Sequence, residues 1–210
     1  MKIAVIQASS QKTKNELLYK CTQKAVEAKR YEVINFGIYA DDTIDFSYIQ
    51  TAFLISLLLE SKAVDFVVTG CSSGQGMMLA CNSLPGVLCG YVENPSDAFL
   101  FGRINDGNAI SFPLGLQFGW AGEINLQASL NHLFEEPFGC GYPETDAQRK
   151  QADTKLMKEL NAITKRSLKD ILGELEPRFV KSCLQRDKVY QYVCDHGENS
   201  PLLDILKTFR

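Results

Sequence analysis

A chain of 210 residues, 45% of them hydrophobic and without a long polar tract, can close one good-sized core and still carry an appendage. Its formal charge of -3 leaves no basic footprint, which excludes a nucleic-acid-binding role. Seven cysteines, an odd count with no Cys-x-x-Cys pair, argue against a disulfide frame or a structural zinc and point to reduced thiols in the cytoplasm.

The N-terminal run Met1 to Ile6 passes straight into polar residues, so no signal peptide is expected. No apolar stretch approaches the ~20 residues of a membrane span. Ile3 to Ile6 reads as a first strand, and Gln7 to Gln11 as a turn that caps a helix over about 12–29. Leu17, Leu18, Cys21, Ala25 and Val26 fall at helical spacing there, with lysines opposite. Tyr31 to Phe36 is a second strand closed by Gly37, and the acidic turn Asp41 to Asp45 leads into a strongly apolar helix, 46–60.

Val64 to Thr69 is short and rich in β-branched residues, as expected of a central parallel strand. It runs into Gly70-Cys71-Ser72-Ser73-Gly74-Gln75-Gly76, a strand-to-helix turn that opens a helix through Met77 to Asn82, stopped by Pro85-Gly86. Glycines let such a turn aim several N–H groups into one cavity, and the helix adds the positive end of its dipole. Cys71 enters that cavity at the carboxyl end of its strand, where open α/β sheets place ligands. A thiol there is a candidate base or nucleophile, because helix N-termini favour the thiolate. The plainer reading is a small buried hydrophobe at a strand end, and local sequence leaves the two open. Tyrosine-phosphatase chemistry is excluded, since the arginine it needs six positions on is Met77. A dinucleotide fingerprint fails as well, with Leu79 where the third glycine or alanine belongs.

Gly86 to Tyr91 reads as a fourth strand, Asn94 to about Arg103 as a capped helix, Asn108 to Phe112 as a fifth strand stopped by Pro113, and 119–134 as a helix. Strands alternating with helices in this way predict an α/β fold: a five-stranded parallel doubly wound, Rossmann-like sheet. After Pro137 the pattern becomes charged and helical. The organisation expected is therefore a sheet domain over 1–143 and a helical C-terminal extension over 144–210, a packing or oligomer arm. No internal repeat is present.

The segment Cys71-Ser72-Ser73-Gly74-Gln75-Gly76-Met77, with Ala80, Asn82, Pro85 and Gly86, resembles C-G-T-G-x-G-[MI]-x-x-A-x-N-K-x-P-G of the ribose-5-phosphate isomerase B and galactose-6-phosphate isomerase family. Met1 to Ala4, Tyr31 to Gly37 (Y-E-V-x-D-x-G), Asp45-Phe46 (D-Y-P) and Asn105 to Asn108 (H-N-D-A-N) fall in register, covering about residues 1 to 135. The resemblance implies an aldose–ketose isomerase that works through a cis-enediolate on a small sugar phosphate, without metal or cofactor, as a homodimer or higher homo-oligomer with sites shared between subunits. It assigns Cys71 as the base moving a proton between C1 and C2, and Ser73 as the hydroxyl where the family has threonine. The amides of Ser72, Ser73, Gly74, Gln75 and Gly76 would hold the enediolate oxygen. Asn105 matches a substrate-contacting position.

Several positions depart from the family. Its aspartate and histidine in G-x-D-H fall on Ala8 and Ser9, and its ring-opening histidine falls on Ile104. An isoleucine cannot transfer a proton, so the substrate expected is one that needs no ring opening or is delivered open. Phe138 to Tyr142 keeps the glycines of the family's phosphate loop but not its arginine, which leaves Arg149 and Arg103 as candidate phosphate cations. His132 and His196 read as ordinary structural or surface residues. The competing reading is a sugar-phosphate-binding protein without turnover, or one subunit of a hetero-oligomeric isomerase.

Overall fold

A computed structural model describes all 210 residues. The five strands are β1 (Lys2–Val5), β2 (Glu32–Asn35), β3 (Phe66–Cys71), β4 (Cys89–Tyr91) and β5 (Ala109–Pro113). They form one sheet in the order β2-β1-β3-β5-β4 with every pair parallel, so the predicted class is the one observed. Every residue of β3 is buried, as its unbroken apolar run requires of a strand covered on both faces.

The connections alternate in face. Helices α1 (Asn15–Val26), α4 (Pro95–Leu100) and α5 (Gly122–Phe134) share one core with Ile3, Val5, Phe66, Val68 and Ile110. Helices α2 (Tyr48–Glu60) and α3 (Gln75–Asn82) share the opposite core with Ala4, Val67, Cys71 and Ala109. The chain therefore leaves β3 toward one face, and its neighbours β1 and β5 toward the other. This opens crevices at the carboxyl edge on either side of Cys71, the arrangement in which open sheets bind ligands.

Helix α2 has no polar side, and residues 51–58 are all buried. Such a helix needs cover all round. The sheet supplies one side; the C-terminal segment supplies the other. Helices α6 (Ala147–Thr164), α7 (Leu168–Leu172), α8 (Pro177–Cys183), α9 (Asp187–His196) and α10 (Ser200–Lys207) follow in sequence. Leu168, Leu172, Val180, Val189, Val193 and Leu206 from the last four join the α2 core. Gln50 Nε2 donates to Ser182 Oγ at 3.0 Å, Asn199 Nδ2 to the Glu60 carbonyl at 3.1 Å, and Lys165 Nζ to the Leu84 carbonyl at 3.0 Å.

The first helix and the fourth strand are among the elements shorter than their patterns suggest. Residues 9–14 form a 3-10 turn before α1 begins at Asn15. Gly86 lies in a turn at φ +70° and β4 begins only at Cys89: Asn108 donates to the Gly86 carbonyl at 2.7 Å and accepts from Leu88 N–H at 2.8 Å, while the Leu88 carbonyl accepts from Ala109 N–H at 3.2 Å. No helix is long and apolar enough to cross a membrane, and all seven cysteines are free thiols.

Candidate active site

Cys71 closes β3 at the carboxyl edge of the sheet as a buried residue, 8% exposed. Its carbonyl accepts from Leu114 N–H at 3.0 Å, and that of Ser72 from Gly115 and Leu116 at 3.0 and 2.7 Å. The loop after β5 is thereby strapped along the turn. With their carbonyls so engaged, the N–H groups from Ser72 to Met77 have no acceptor within the protein. These are the orphan donors of a helix start, gathered beside one thiol.

Gly74 makes this geometry possible. It sits at φ +74°, and a Cβ there would lie 2.8 Å from Tyr91 Cε2 and 2.9 Å from the Phe112 carbonyl carbon. Its own carbonyl accepts from Ser111 Oγ at 2.7 Å, which fixes the turn from beneath. The Ser72 hydroxyl accepts from Gln11 Nε2 at 2.9 Å, joining the β1 loop to the turn. Ser73 and Gln75 have side chains free of protein partners, Ser73 half-buried and Gln75 exposed. Ser9 lies across the crevice on the β1 loop, where its N–H donates to the Phe46 carbonyl at 3.0 Å and its Oγ accepts from Phe46 N–H at 2.6 Å. The Ser9 hydroxyl proton remains available to a ligand.

The structure thus brings together Ser9, Cys71, Ser72, Ser73, Gly74, Gln75 and Gly76. It holds Asn105 apart. Helix α4 runs into a single π turn, Phe101–Asn105, which precedes β5, whereas Cys71 pairs with Pro113 at the far end of that strand. The length of β5, about 13 Å, therefore separates the two levels. Exposed Asn105 lies instead on a cavity of about 490 Å³ alongside β4, with Asn82, Tyr91, Asp97 and Met157. Helix α6 docks on the same turn: Thr154 Oγ1 donates to the Ile104 carbonyl at 2.5 Å and Lys158 pairs with Asp106.

Arg149, near the start of α6, is exposed and paired with Asp146 at 2.9 Å and Asp153 at 3.2 Å, which raise its pKa above the ordinary arginine value. Arg103, the other candidate cation, is buried rather than open to solvent, with Nε and Nη1 lacking a partner. The π turn rolls it into the core, 1% exposed, where it donates to the Leu133 carbonyl at 2.8 Å between the rings of Phe99 and Phe138. Burial lowers its pKa, opposed by the neighbouring Cys140, Glu136 and Glu135. His132 pairs with Glu135 at the surface and His196 stacks beside Tyr192, both away from the crevice.

Three residues at the site have no counterpart in the sequence argument. Gln11 orients Ser72. Tyr48, at the head of α2, lies against Gly76, and Tyr91 lies against Gly74. Burial pushes the Tyr91 hydroxyl up, with Glu93, Asp97 and the Cys71 thiol adding to the effect. The only signal for Tyr91 is its place at the end of β4, because strand ends at this edge meet the crevice.

The model of the Ribose/Galactose Isomerase family matches residues 3–130. The chain belongs to this family. A 4-deoxy-L-threo-5-hexosulose-uronate ketol-isomerase, solved with a tartrate, is 40% identical over 100% of this chain and 99% of its own, with a TM-score of 0.95. A ribose-5-phosphate isomerase from Vibrio parahaemolyticus is 35% identical over the same shares, with a TM-score of 0.94. The type B ribose 5-phosphate isomerase of Trypanosoma cruzi, at 20% identity, covers 75% of this chain and 97% of its own with a TM-score of 0.60, a likeness of fold alone. No curated protein matches. As a member of the Ribose/Galactose Isomerase family the chain is a sugar isomerase, and the two relatives near its full length match the C-terminal helices as well as the sheet.

Proposed function

We propose that this isomerase interconverts the aldose and ketose forms of a small acidic sugar, taken in its open-chain form, through a cis-enediolate with Cys71 as the base. The observation that carries the reading is the juxtaposition at the head of α3 of one thiol and the free N–H groups of Ser72 to Met77. Acting as thiolate, Cys71 takes the C2 proton of a 2-hydroxy aldehyde, and the electron pair moves through C1 onto O1. The N–H groups of Ser72 to Gly76 and the Ser73 hydroxyl meet that oxyanion, the interaction worth most in reactions of this kind. The thiol then returns the proton to C1 as the O2 proton passes to O1. A 1-hydroxy-2-ketone results with no atom gained or lost.

Ile104 supports a substrate that carries no ring. In a 4-deoxy-5-hexosulose uronate, the substrate in the name of the 40%-identical relative, C4 has no hydroxyl and C5 is a ketone. Neither oxygen that closes a five- or six-membered sugar hemiacetal is available, so a ring-opening histidine has no task. Its far-end anion is a carboxylate. Its lesser charge suits a chain in which the family's loop arginine is missing and Arg149 is already paired to two aspartates. A short sugar phosphate is the second reading, supported by the Vibrio relative.

The active form proposed is a homodimer. Asn105 and Cys71 lie at opposite ends of β5, so a second copy is what can bring an Asn105 to this crevice. An apolar groove of about 380 Å³ over α3, lined by Tyr48, Ile49, Leu79, Leu84 and Phe179, offers that copy a seat beside Gly76. The test is solvent-deuterium incorporation into a panel of unsaturated-uronate breakdown products, tetrose phosphates and ribose 5-phosphate. Exchange that Cys71→Ala abolishes is expected for the ring-free members. Binding without exchange across the panel would instead make the chain a sugar-binding protein.

A further inference from the structure

We propose that Arg186, in the C-terminal segment, is a positioning residue for the isomerase site: it holds the β2–α2 loop, residues 37–46, against the crevice. The inference rests on the functional reading above only for its kinetic consequence.

Arg186 stands at the joint between α8 and α9, with a side chain only 14% exposed. Its guanidinium spends three donors on one short stretch of chain. Nε donates to the Phe36 carbonyl at 3.1 Å, Nη2 to the Gly37 carbonyl, and Nη1 to Asp42 Oδ2 at 2.7 Å. Asp42 Oδ2 also accepts from Tyr39 N–H at 2.9 Å, so the arginine and the loop's own turn converge on one oxygen.

The inner side of the same stretch is fixed by a buried amide cluster. Gln7 Nε2 donates to the Ile38 carbonyl at 2.9 Å, Asn15 Nδ2 to Gln7 Oε1 at 2.9 Å, and Gly37 N–H to Asn35 Oδ1 at 2.9 Å. A Cβ at Gly37 would sit 1.7 Å from Asn15 Nδ2, so the backbone is pressed directly onto that cluster. Arg186 closes the outer side. The far end of the loop is Phe46, which exchanges two hydrogen bonds with Ser9 in the crevice.

Hydrogen bonds at either end and the chain between them therefore link the tail to the crevice: Arg186 to the 36–42 backbone, residues 43–45 on to Phe46, and Phe46 to Ser9. Between its ends the loop has few other ties, the longest-reaching being Lys12 to Asp45 at 3.4 Å. A planar fork that meets two carbonyls and a carboxylate at once cannot be copied by a lysine, whose point charge reaches one partner at a time. On this view the extension covers α2 and also sets the geometry of the site's β1–β2 wall.

The experiment compares full-length wild type, Arg186→Ala, Arg186→Lys and Asp42→Asn by amide hydrogen exchange and by steady-state kinetics on the uronate and tetrose phosphate panel. In Arg186→Ala, faster exchange at Tyr39, Asp42 and Phe46 is expected, with KM raised between about ten- and a hundredfold and kcat changed less. Arg186→Lys and Asp42→Asn should fall between it and wild type. If exchange in 37–46 and KM stay as in wild type while only melting temperature drops, Arg186 merely packs the tail and the proposal is overturned. Should Arg186→Ala not fold, the same two readouts in Arg186→Lys and Asp42→Asn decide. If wild type turns over nothing in the panel, the functional reading fails, and the exchange data still judge the clamp.

Discussion

The side-chain amide of Asn82 grips the backbone of Cys89 from both ends, donating to its carbonyl at 2.8 Å and accepting from its N–H at 2.9 Å. Because β4 is an edge strand paired only with β5, this amide stands in for the missing neighbour. Asn82→Ala leaves both backbone groups without a protein partner. It should destabilise the fold by about 2 kcal/mol, lowering Tm by roughly 5 °C in a calorimetric scan. Asn82→Asp, which keeps the acceptor and loses the donor, should fall between the two.

At Cys71 the expected outcome separates chemistry from stability. Cys71→Ser keeps the size of a residue that is only 8% exposed, so far-UV circular dichroism should be unchanged. Turnover should drop by at least about a hundredfold, the low end of what a positioned base contributes. Near-wild-type turnover in that variant would remove the thiol from the mechanism.

Gly74→Ala should damage both. The position requires φ +74°, which costs about 1–3 kcal/mol for a residue with a side chain. The new methyl would also meet Tyr91 and the Phe112–Pro113 peptide within 3 Å. A lower Tm together with lost turnover is expected. Gly76→Ala, whose Cβ would lie 3.7 Å from the Tyr48 ring, should be mild on stability.

Separation of Asn105 from Cys71 gives a complementation test. Cys71→Ala and Asn105→Ala proteins should each be inactive alone. After unfolding, mixing and refolding, about a quarter of wild-type activity should return, because half the dimers are mixed and each holds one whole site. No recovery on mixing would place both residues in sites made by one chain.

Acid should reveal the clamp on the β2–α2 loop. Burial raises the Asp42 pKa, but Tyr39 N–H, Arg186 and Lys12 outweigh it and hold the carboxyl below the usual aspartate range. A depressed folded-state value means the contribution is fully present above the unfolded pKa of about 3.9 and lost as pH falls through the lower folded value. The stability gap between wild type and Asp42→Asn should thus be flat from neutral pH to about 5 and shrink below about 4. Urea denaturation across that range reads it directly.

The sheet and the glycine turn were legible because their signals are local: β-branched runs of strand length, and glycines where only a positive φ or a close approach will do. Positions fixed by distant partners were not. Arg103 reads as a cation beside a substrate residue, yet a π turn, which no short-range pattern marks, rotates it into the core under Phe99 and Phe138. Arg186 is one charge among many in the tail, and nothing near it in sequence announces carbonyls some 150 positions earlier. The docking of the tail itself had one visible cue, the absence of any polar side on residues 46–60. That cue says a cover is needed without saying which segment supplies it.

The enclosure of α2 also orders events during synthesis. Its outer wall includes Leu202, Leu203 and Leu206, so ribosomal production of the sheet strands does not complete the half of the molecule that holds Cys71. Until Leu206 has emerged, a nascent chain carries a sticky helix that only chaperones or aggregation can hide. Shortening the gene after the sheet would leave that liability permanent.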